Sequence, residues 1–486
     1  MITMDAGKLI NGEPGAEGLQ KVLRLHDEKA EGLCKLRSVL NMEHSITGRT
    51  RLRGLPNNKL AHDLPGYIVT MAAGYLVGEP VTYTASEEGK AAFAPILEAL
   101  KAAVSDNVDA ELAVDASAYG KGIEVYYADG QSRPRIAQVD PISSFVVYDD
   151  TVECRPLFGV TAVDVPEMEK QSAKQRVTVY TEREVIAYER RSRGGELCEK
   201  AREFHYFGGV PLVEYWNNKG EKGDFERVLG LIDAYDALQS DRVNDKQQFT
   251  DAILALYGIG SLGAEDTEEY GSRFSEEEES FEERSAVRKE KISPSQRLRQ
   301  TKTLFMPGEG AKAEWLAKPM AEADAEILRK SLKTDIHKLS MVPDLTDDNF
   351  AGNVSGVAMR FKLLGLEQLT KIKERWFREG LRSRLRLFAA FLSMRGGAAV
   401  DVDTVQISFK RSLPVNEIEV AQMVQAYDGI VPRELLLSQV PFVEDTGEAL
   451  KLAEKERQAD MKWQESLAVV LGRKDEAGGE TVAPVP

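Results

Sequence analysis

From Val354 onward the chain keeps one apolar rhythm longer than anywhere else. Val354, Val357, Ala358, Phe361, Leu364, Leu369, Ile372, Trp376, Leu381, Leu385 and Phe388 recur at three- and four-residue spacing, with no proline for about forty positions. The pattern predicts a long amphipathic helix over 354–392. The segment before it, 343–353, combines Pro343, Asn349, Gly352 and Asn353 with three carboxylates, Asp344, Asp347 and Asp348. It is expected to be an irregular, exposed loop that also carries Thr346. Its outer positions are basic: nine Lys or Arg (360, 362, 371, 373, 375, 378, 382, 384 and 386) stand against only Glu367, Glu374 and Glu379.

Elsewhere the period changes along the chain. Leu19, Val22, Leu23, Leu33 and Leu36 predict a peripheral helix or two over 17–45. After a turn at Leu55-Pro56-Asn57-Asn58, a buried helix over 60–77 runs through Gly78 and Pro80 into a short strand. Two helices are expected over 87–119, divided near Ser105-Asp106-Asn107. Alternation then takes over: 122–128 and 133–139 flank Asp129-Gly130, a strong hairpin signal. Further strands are expected at 144–148, 157–163, 176–180, 184–189 and 204–206, so the first half reads as an α+β domain with an antiparallel meander. An apolar run, 211–216, ends at Asn217-Asn218 and introduces a second long helix, 225–256, stopped by the glycines of 258–263. A third helix spans 321–341. After the long basic helix come one strand, 405–409, and a helical part over 417–464. The polar end, 473–486, has the composition of a disordered tail.

Charge separates one block from the rest. Residues 265–284 hold ten carboxylates, Glu276, Glu277, Glu278 and Glu279 among them, against Arg273 and Arg284. Residues 288–302 reverse the sign with six cations, including Arg288, Lys289 and Lys291, opposed only by Glu290. Such a block is either a disordered acidic loop or an exposed module whose acidic half meets the basic half of a neighbouring copy.

Composition narrows the function. The 486 residues suffice for two to four domains. The 63 Lys and Arg against 79 Asp and Glu give a net charge of −16, unsuited to coating nucleic acid broadly. Three cysteines without a CxxC pair fit a reducing compartment. The N-terminus lacks the pattern of a secretory signal, and the most apolar run, 66–77, is too short to span a bilayer, so no membrane role is expected. No phosphate-binding glycine loop, dinucleotide fingerprint or nucleophile elbow is present. The five histidines (26, 44, 62, 205 and 337) are scattered without ligand spacing. No cofactor, metal or catalytic residue is expected.

The order of four segments closely resembles the portal proteins of tailed bacteriophages, most nearly the long-tailed branch. They are Leu55-Pro56-Asn57-Asn58; Gly74-Tyr75-Leu76-Val77-Gly78-Glu79-Pro80-Val81; Gly209-Val210-Pro211-Leu212-Val213-Glu214-Tyr215-Trp216-Asn217-Asn218 with Leu231-Ile232-Asp233-Ala234-Tyr235; and Asn353-Val354-Ser355-Gly356-Val357-Ala358. The resemblance covers residues 20–465. It implies a virion protein, made in the host cytoplasm, that forms a ring, typically of twelve subunits, at one capsid vertex. Double-stranded DNA enters and leaves through that ring. The expected partners are further copies of the chain, the terminase large subunit, a head-completion or adaptor protein, and the major capsid and scaffolding proteins.

Carried onto this chain, the resemblance implies a portal-type α+β fold. Residues 1–224 and 354–413, with a long kinked helix, form the wing. Helices 225–257 and 321–341 form the stem, 258–320 the clip, 414–465 a helical crown and 466–486 a tail. Residues 342–353 are the tunnel loop, whose Asp344, Thr346, Asp347, Asp348 and Asn349 would face DNA. Glu276 to Glu279 with Arg288, Lys289 and Lys291 would serve clip docking or subunit contacts. Three accounts of Arg375, Arg378 and Arg382 stay open: a solvated face, pairing with carboxylates of an adjacent subunit, or DNA contact. A nucleic-acid-binding scaffold using the basic helix, and an enzyme with an unrecognised site, remain the rival functions.

Overall fold

In the computed structural model, residues 1–52, 55–166, 173–191, 193–249, 253–257, 303–306, 312–316, 322–346, 356–411, 417–437, 440, 443 and 446–476 are described. They fall into two compact units. The first comprises residues 1–344 and 365–411, the second residues 345–364 and 412–486.

The first unit begins with β1 (Ile2–Met4) and a small hairpin of β2 (Leu9–Ile10) and β3 (Glu13–Pro14). Helix α1 (Ala16–Leu40) follows. One face packs on a sheet, with Leu19, Val22 and Leu23 buried against Phe145, Val147, Phe158, Val160, Val177 and Val179, and the other is exposed. Helix α2 (Leu64–Val77) starts where the Asp63 carboxylate accepts from the Gly66 amide at 2.9 Å, an N-cap followed by Pro65. It runs into β4 (Thr82–Thr84). Helices α3 (Lys90–Ala102) and α4 (Ser105–Tyr119) divide at Val104, whose φ of 54° is left-handed, so Ser105 opens the second helix rather than forming the break.

The Asp129-Gly130 hairpin joins β5 (Lys121–Ala128) to β6 (Pro134–Val139). The Asp129 carboxylate accepts from the amides of Gln131 and Arg133, each at 2.9 Å. The meander is β7 (Ser144–Asp149), β8 (Pro156–Pro166), β9 (Ala173–Tyr180), β10 (Glu184–Arg190) and β11 (Cys198–Phe204). With β1 added parallel to β7, it makes a six-stranded sheet in the order β1-β7-β8-β9-β10-β11. Strand β12 (Leu212–Trp216) pairs with β5 instead, closing a second sheet of order β12-β5-β6. The single meander expected from alternation is therefore two sheets, and β7 belongs to both cores. Its Phe145 and Val147 point into one hydrophobic cluster, its Val146 into the other with Ile123 and Leu212.

Helix α5 (Leu229–Phe249) ends earlier than its apolar pattern suggested. Ile-Leu-Ala-Leu-Tyr then forms β13 (Ile253–Tyr257), which pairs with β14 (Thr303–Met306) in parallel and with β15 (Lys312–Leu316) antiparallel. A short apolar run of this kind suits a buried strand as well as a helix, and here the sheet partners decide. Helix α6 (Glu322–Ser340) packs back on α5. Arg242 of α5 pairs with Glu322 and, at 3.3 Å, with Glu326. In the second unit, α7 (Gly356–Lys362) stops at Leu363, so the long apolar segment is two helices. Helix α8 (Leu364–Met394) carries the rest of it back through the first unit. There Phe377, Leu381, Leu385, Phe388 and Phe391 fill the main core with α2, α3, α4 and β5. Strand β16 (Gln406–Ser408) pairs with β4. The remaining helices are α9 (Glu417–Tyr427), α10 (Arg433–Leu437) and α11 (Thr446–Glu476), the last reaching beyond the expected end of the helical part.

Candidate functional site

On α8, Lys373, Phe377, Leu381, Arg384 and Phe388 follow one another at four, four, three and four residues, a single stripe of an α-helix. That stripe faces the core, and two of the nine cations go inside with it: Lys373 is 1% and Arg384 0% exposed. Arg384 Nη2 lies 2.6 Å from Asp109 Oδ1 of α4 and 2.8 Å from Glu124 Oε1 of β5. Its Nε donates to Glu124 Oε2 at 3.1 Å, and the Tyr215 hydroxyl donates to the same oxygen at 2.6 Å. Tyr126 adds a third donor to Glu124. Burial disfavours the charge on Arg384, but Asp109 and Glu124 outweigh it and hold the guanidinium well above its ordinary value. At Asp109 burial wins over Arg384, and the carboxyl rises to about 6. Gly380 lets α8 approach this closely, since a Cβ there would sit 2.5 Å from the Tyr215 ring.

Lys373 is fixed by a separate network. Its Nζ lies 2.5 Å from Asp224 Oδ2 and also bonds the Ser117 hydroxyl. Asn217 Nδ2, from the Trp216-Asn217-Asn218 segment, donates to Asp224 Oδ1 at 2.8 Å and so orients the acceptor. An unpaired charge at either depth would be costly, so the two ion pairs fix both the rotation and the axial position of α8.

Helix α5 is gripped through a polar stripe. Asp236, Ser240 and Asn244 are fully buried on it. Asp236 takes His44 Nδ1 at 2.5 Å and His62 Nδ1 at 2.7 Å on its two oxygens. Ser240 Oγ accepts from the Leu60 amide at 2.9 Å. Asn244 Oδ1 accepts from the Asn58 amide at 2.7 Å and from the Asn58 side chain at 2.9 Å. Residues 58–62, which run on from the Leu55-Pro56-Asn57-Asn58 turn, are thus a strap along α5. Its role is to satisfy a helix face that has no apolar partner.

The loop after α6 is held at its root. Val342 is buried and its carbonyl lies 2.9 Å from His337 Nδ1. The Tyr67 hydroxyl donates to the Pro343 carbonyl at 2.9 Å, and Asp344 pairs with Lys333 of α6 at 2.5 Å. Asp344, expected to be exposed, is therefore a half-buried anchor, because a cation about two turns back from the helix end reaches it. Thr346 is exposed. Asp347, Asp348 and Asn349, and likewise Glu276, Glu277, Glu278, Glu279, Arg288, Lys289 and Lys291, lie outside the described residues.

Of the basic-helix candidates, Arg375 is exposed. Arg378 pairs with Glu374 and stacks over the Phe409 ring, 5.7 Å from its centroid. Arg382 pairs with Glu379 at 3.1 Å. Lys371 meets Glu367 at 3.6 Å and Arg386 meets Asp403 at 2.8 Å. At least six of the nine cations thus have carboxylate partners within the chain. The expectation that all nine lie on outer positions fails at Lys373 and Arg384. Their membership of the apolar stripe was the available signal.

Among the described residues the side-chain networks are structural. A cleft of about 780 Å³ is lined by Tyr148, Trp216, Trp376 and Leu387 above Glu214. Burial pushes the Glu214 carboxyl up, but Lys121 at 2.6 Å, the Trp216 indole at 3.0 Å and the Val146 amide at 3.1 Å outweigh it and hold the group below its usual range. It stays an ionised, fully occupied acceptor, unfit as a general acid or base. Among the described residues no group of three or more His, Cys, Asp or Glu is placed to hold a metal. No helix among them is long and apolar enough to cross a membrane.

The arrangement is that of a structural α+β protein in which buried ion pairs and polar straps fix long helices. The chain belongs to the family described as Phage portal protein, SPP1 Gp6-like, which matches residues 21–462, and members of that family are structural components of the phage, not enzymes. It is similar to the portal protein of Bacillus phage SPP1, 23% identical over 442 residues that make up 87% of this chain and 80% of that one. It is also similar to the portal protein of Clostridium phage phiCD119, 25% identical over 264 residues. That second match takes in 54% of this chain and spans about half, 52%, of the relative's length.

Proposed function

We propose that the chain assembles into a closed ring, of about twelve subunits by the family resemblance, at one vertex of the capsid. The ring is the channel through which double-stranded DNA is packaged and ejected. It is also the docking site for the terminase large subunit and later for a head-completion or adaptor protein, within a shell of major capsid and scaffolding proteins. The observation that carries this reading is membership of the portal family over residues 21–462. In this assignment α5 and α6 are the stem, the segment between them with β13, β14 and β15 the clip, 342–353 the tunnel loop, and the second unit's C-terminal helices the crown. The carboxylates Asp347 and Asp348 suit a loop past which phosphate must slide without sticking, while Asp344, paired with Lys333, anchors its root. ATP hydrolysis is supplied by the separate terminase, in keeping with a sequence that has no phosphate-binding loop.

Imaging of the purified protein by negative stain, with its mass in solution, tests the reading. Rings with a central hole are expected. A monomer or dimer across concentration and salt overturns it, as does ATPase activity of the ring itself. A scaffold that grips DNA through α8 is the weaker reading, because at least six of the nine cations are already paired with carboxylates of the same chain.

A further inference from the structure

Helix α6 turns one face toward α5, through Glu322, Glu326 and Arg329, with Ile336 and Ser340 buried. The rest is solvent-facing, yet it carries large apolar side chains: Ile327 is 67%, Leu328 50% and Leu339 57% exposed. Helical phase sorts these positions into two stripes on either side of Ser331. Asp324, Leu328, Leu332, Asp335 and Leu339 recur at four, four, three and four residues and form one flank. Ile327, Lys330, Thr334 and Lys338 recur at three, four and four and form the other. One flank is thus leucine with two aspartates, the other isoleucine with two lysines. The four charged residues are exposed, and none has an ion-pair partner among the described residues.

We propose that these flanks are the two halves of one head-to-tail interface. The Asp324/Leu328/Asp335/Leu339 flank of one copy packs on the Ile327/Lys330/Lys338 flank of the next copy of this chain. The inference rests on the ring reading and names the surface that builds it. Charge complementarity selects the occupant. A two-fold contact would set each flank against itself, aspartate facing aspartate or lysine facing lysine, whereas a heterologous contact sets the aspartate flank against the lysine flank and repeats around a ring. Rotation about the ring axis keeps neighbouring α6 helices at the same height, so Ile327 of one copy meets Leu328 of the next. Exposed aliphatics at both positions are buried by the contact.

Charge swaps and cross-linking on the full chain test this. Lys330→Glu with Lys338→Glu is expected to shift the protein from ring to monomer in solution mass and negative stain. Asp324→Lys with Asp335→Lys should do the same, and combining all four should restore the ring. In a background with Cys34, Cys154 and Cys198 replaced by Ser, Ile327→Cys plus Leu328→Cys should yield an oxidised ladder of oligomers, while each single cysteine yields none. Rings that survive both reversals unchanged overturn the proposal, as does a ladder absent from intact rings or dimers formed by either single cysteine. If the parent protein makes no ring under any condition, it is the ring reading that has failed first.

Discussion

Arg384 of α8 and Asp109 of α4 form a 2.6 Å ion pair from which solvent is wholly excluded. Glu124 completes the site, so one guanidinium serves two carboxylates in the centre of the main core. Removing the cation leaves both acids buried without a counter-charge. Arg384→Ala is therefore expected to cost about 3–5 kcal/mol in chemical denaturation. Replacing the group as a unit, Arg384→Met with Asp109→Asn and Glu124→Gln, should cost much less, and a loss equal to that of the single variant would refute the ion-pair account.

Gly380 is a separate case in which helix propensity and packing disagree. On an exposed helix, Gly→Ala gains about 1 kcal/mol. Here the added methyl would meet the Tyr215 ring at 2.5 Å, with the Glu124 network directly behind it. Overpacking of about 1–3 kcal/mol should outweigh the gain, so Gly380→Ala lowers the melting temperature. A rise would show that α8 can shift away from β12 freely.

How much of this was legible in the sequence depends on what satisfied each side chain. The helices α2, α3, α4 and α6 and the β5–β6 hairpin are legible because their signals are local: spaced apolar residues in the helices, the Asp63 cap of α2 and the Asp129-Gly130 turn. The inward turn of Lys373 and Arg384 did not, because a buried cation depends on Asp224, Asp109 and Glu124, which stand far off in the chain. Nor did the grip on α5: its buried face is Asp236, Ser240 and Asn244, which read as solvent-facing until His44, His62, Asn58 and the Leu60 amide arrive. The end of α5 was misjudged for a related reason, since β13 becomes a strand only by pairing with β14 and β15.

Half-buried Asp115 and buried His26 make stability depend on pH in opposite directions. Burial, reinforced by Asp140 and Glu111, lifts Asp115 to about 7 against the donor Gln138, from an ordinary 3.8. The folded state thus holds a proton that the unfolded chain releases, and this contribution is complete below about 3.8 and lost as pH rises through about 7. His26 is the reverse case. Burial drops it from 6.5 to about 4, so its contribution is present above 6.5 and lost as pH falls through about 4. Asp115→Asn should raise the melting temperature at pH 8 and change it little at pH 4, and thermal scans across pH give the answer. An equal effect at both ends would mean that Asp115 titrates normally.

The loop after α6 can be shortened without touching its root. Val342, Pro343 and Asp344 are held by His337, Tyr67 and Lys333. Deleting residues 346–352 is thus expected to leave ring assembly intact and to impair DNA packaging in a reconstituted system. Failure to form rings would show that those residues belong to the assembly surface.

Binding to free duplex separates the channel from the scaffold reading. A protein that grips DNA releases about one counterion per phosphate contacted, so its affinity falls steeply with salt. On α8 the cations that could do this are mostly engaged: Lys371, Arg378, Arg382 and Arg386 each lie beside a carboxylate of the same chain, and Lys373 and Arg384 are buried. Arg375 is the exposed exception. Purified protein should therefore bind a short linear duplex weakly and with a shallow salt slope, and Arg375→Ala should not alter it. Tight binding whose slope drops by about one on Arg375→Ala would assign α8 to DNA contact. In that event the carboxylates beside Arg378 and Arg382 would have to give way to phosphate, and Glu374→Gln or Glu379→Gln would tighten binding instead of leaving it unchanged.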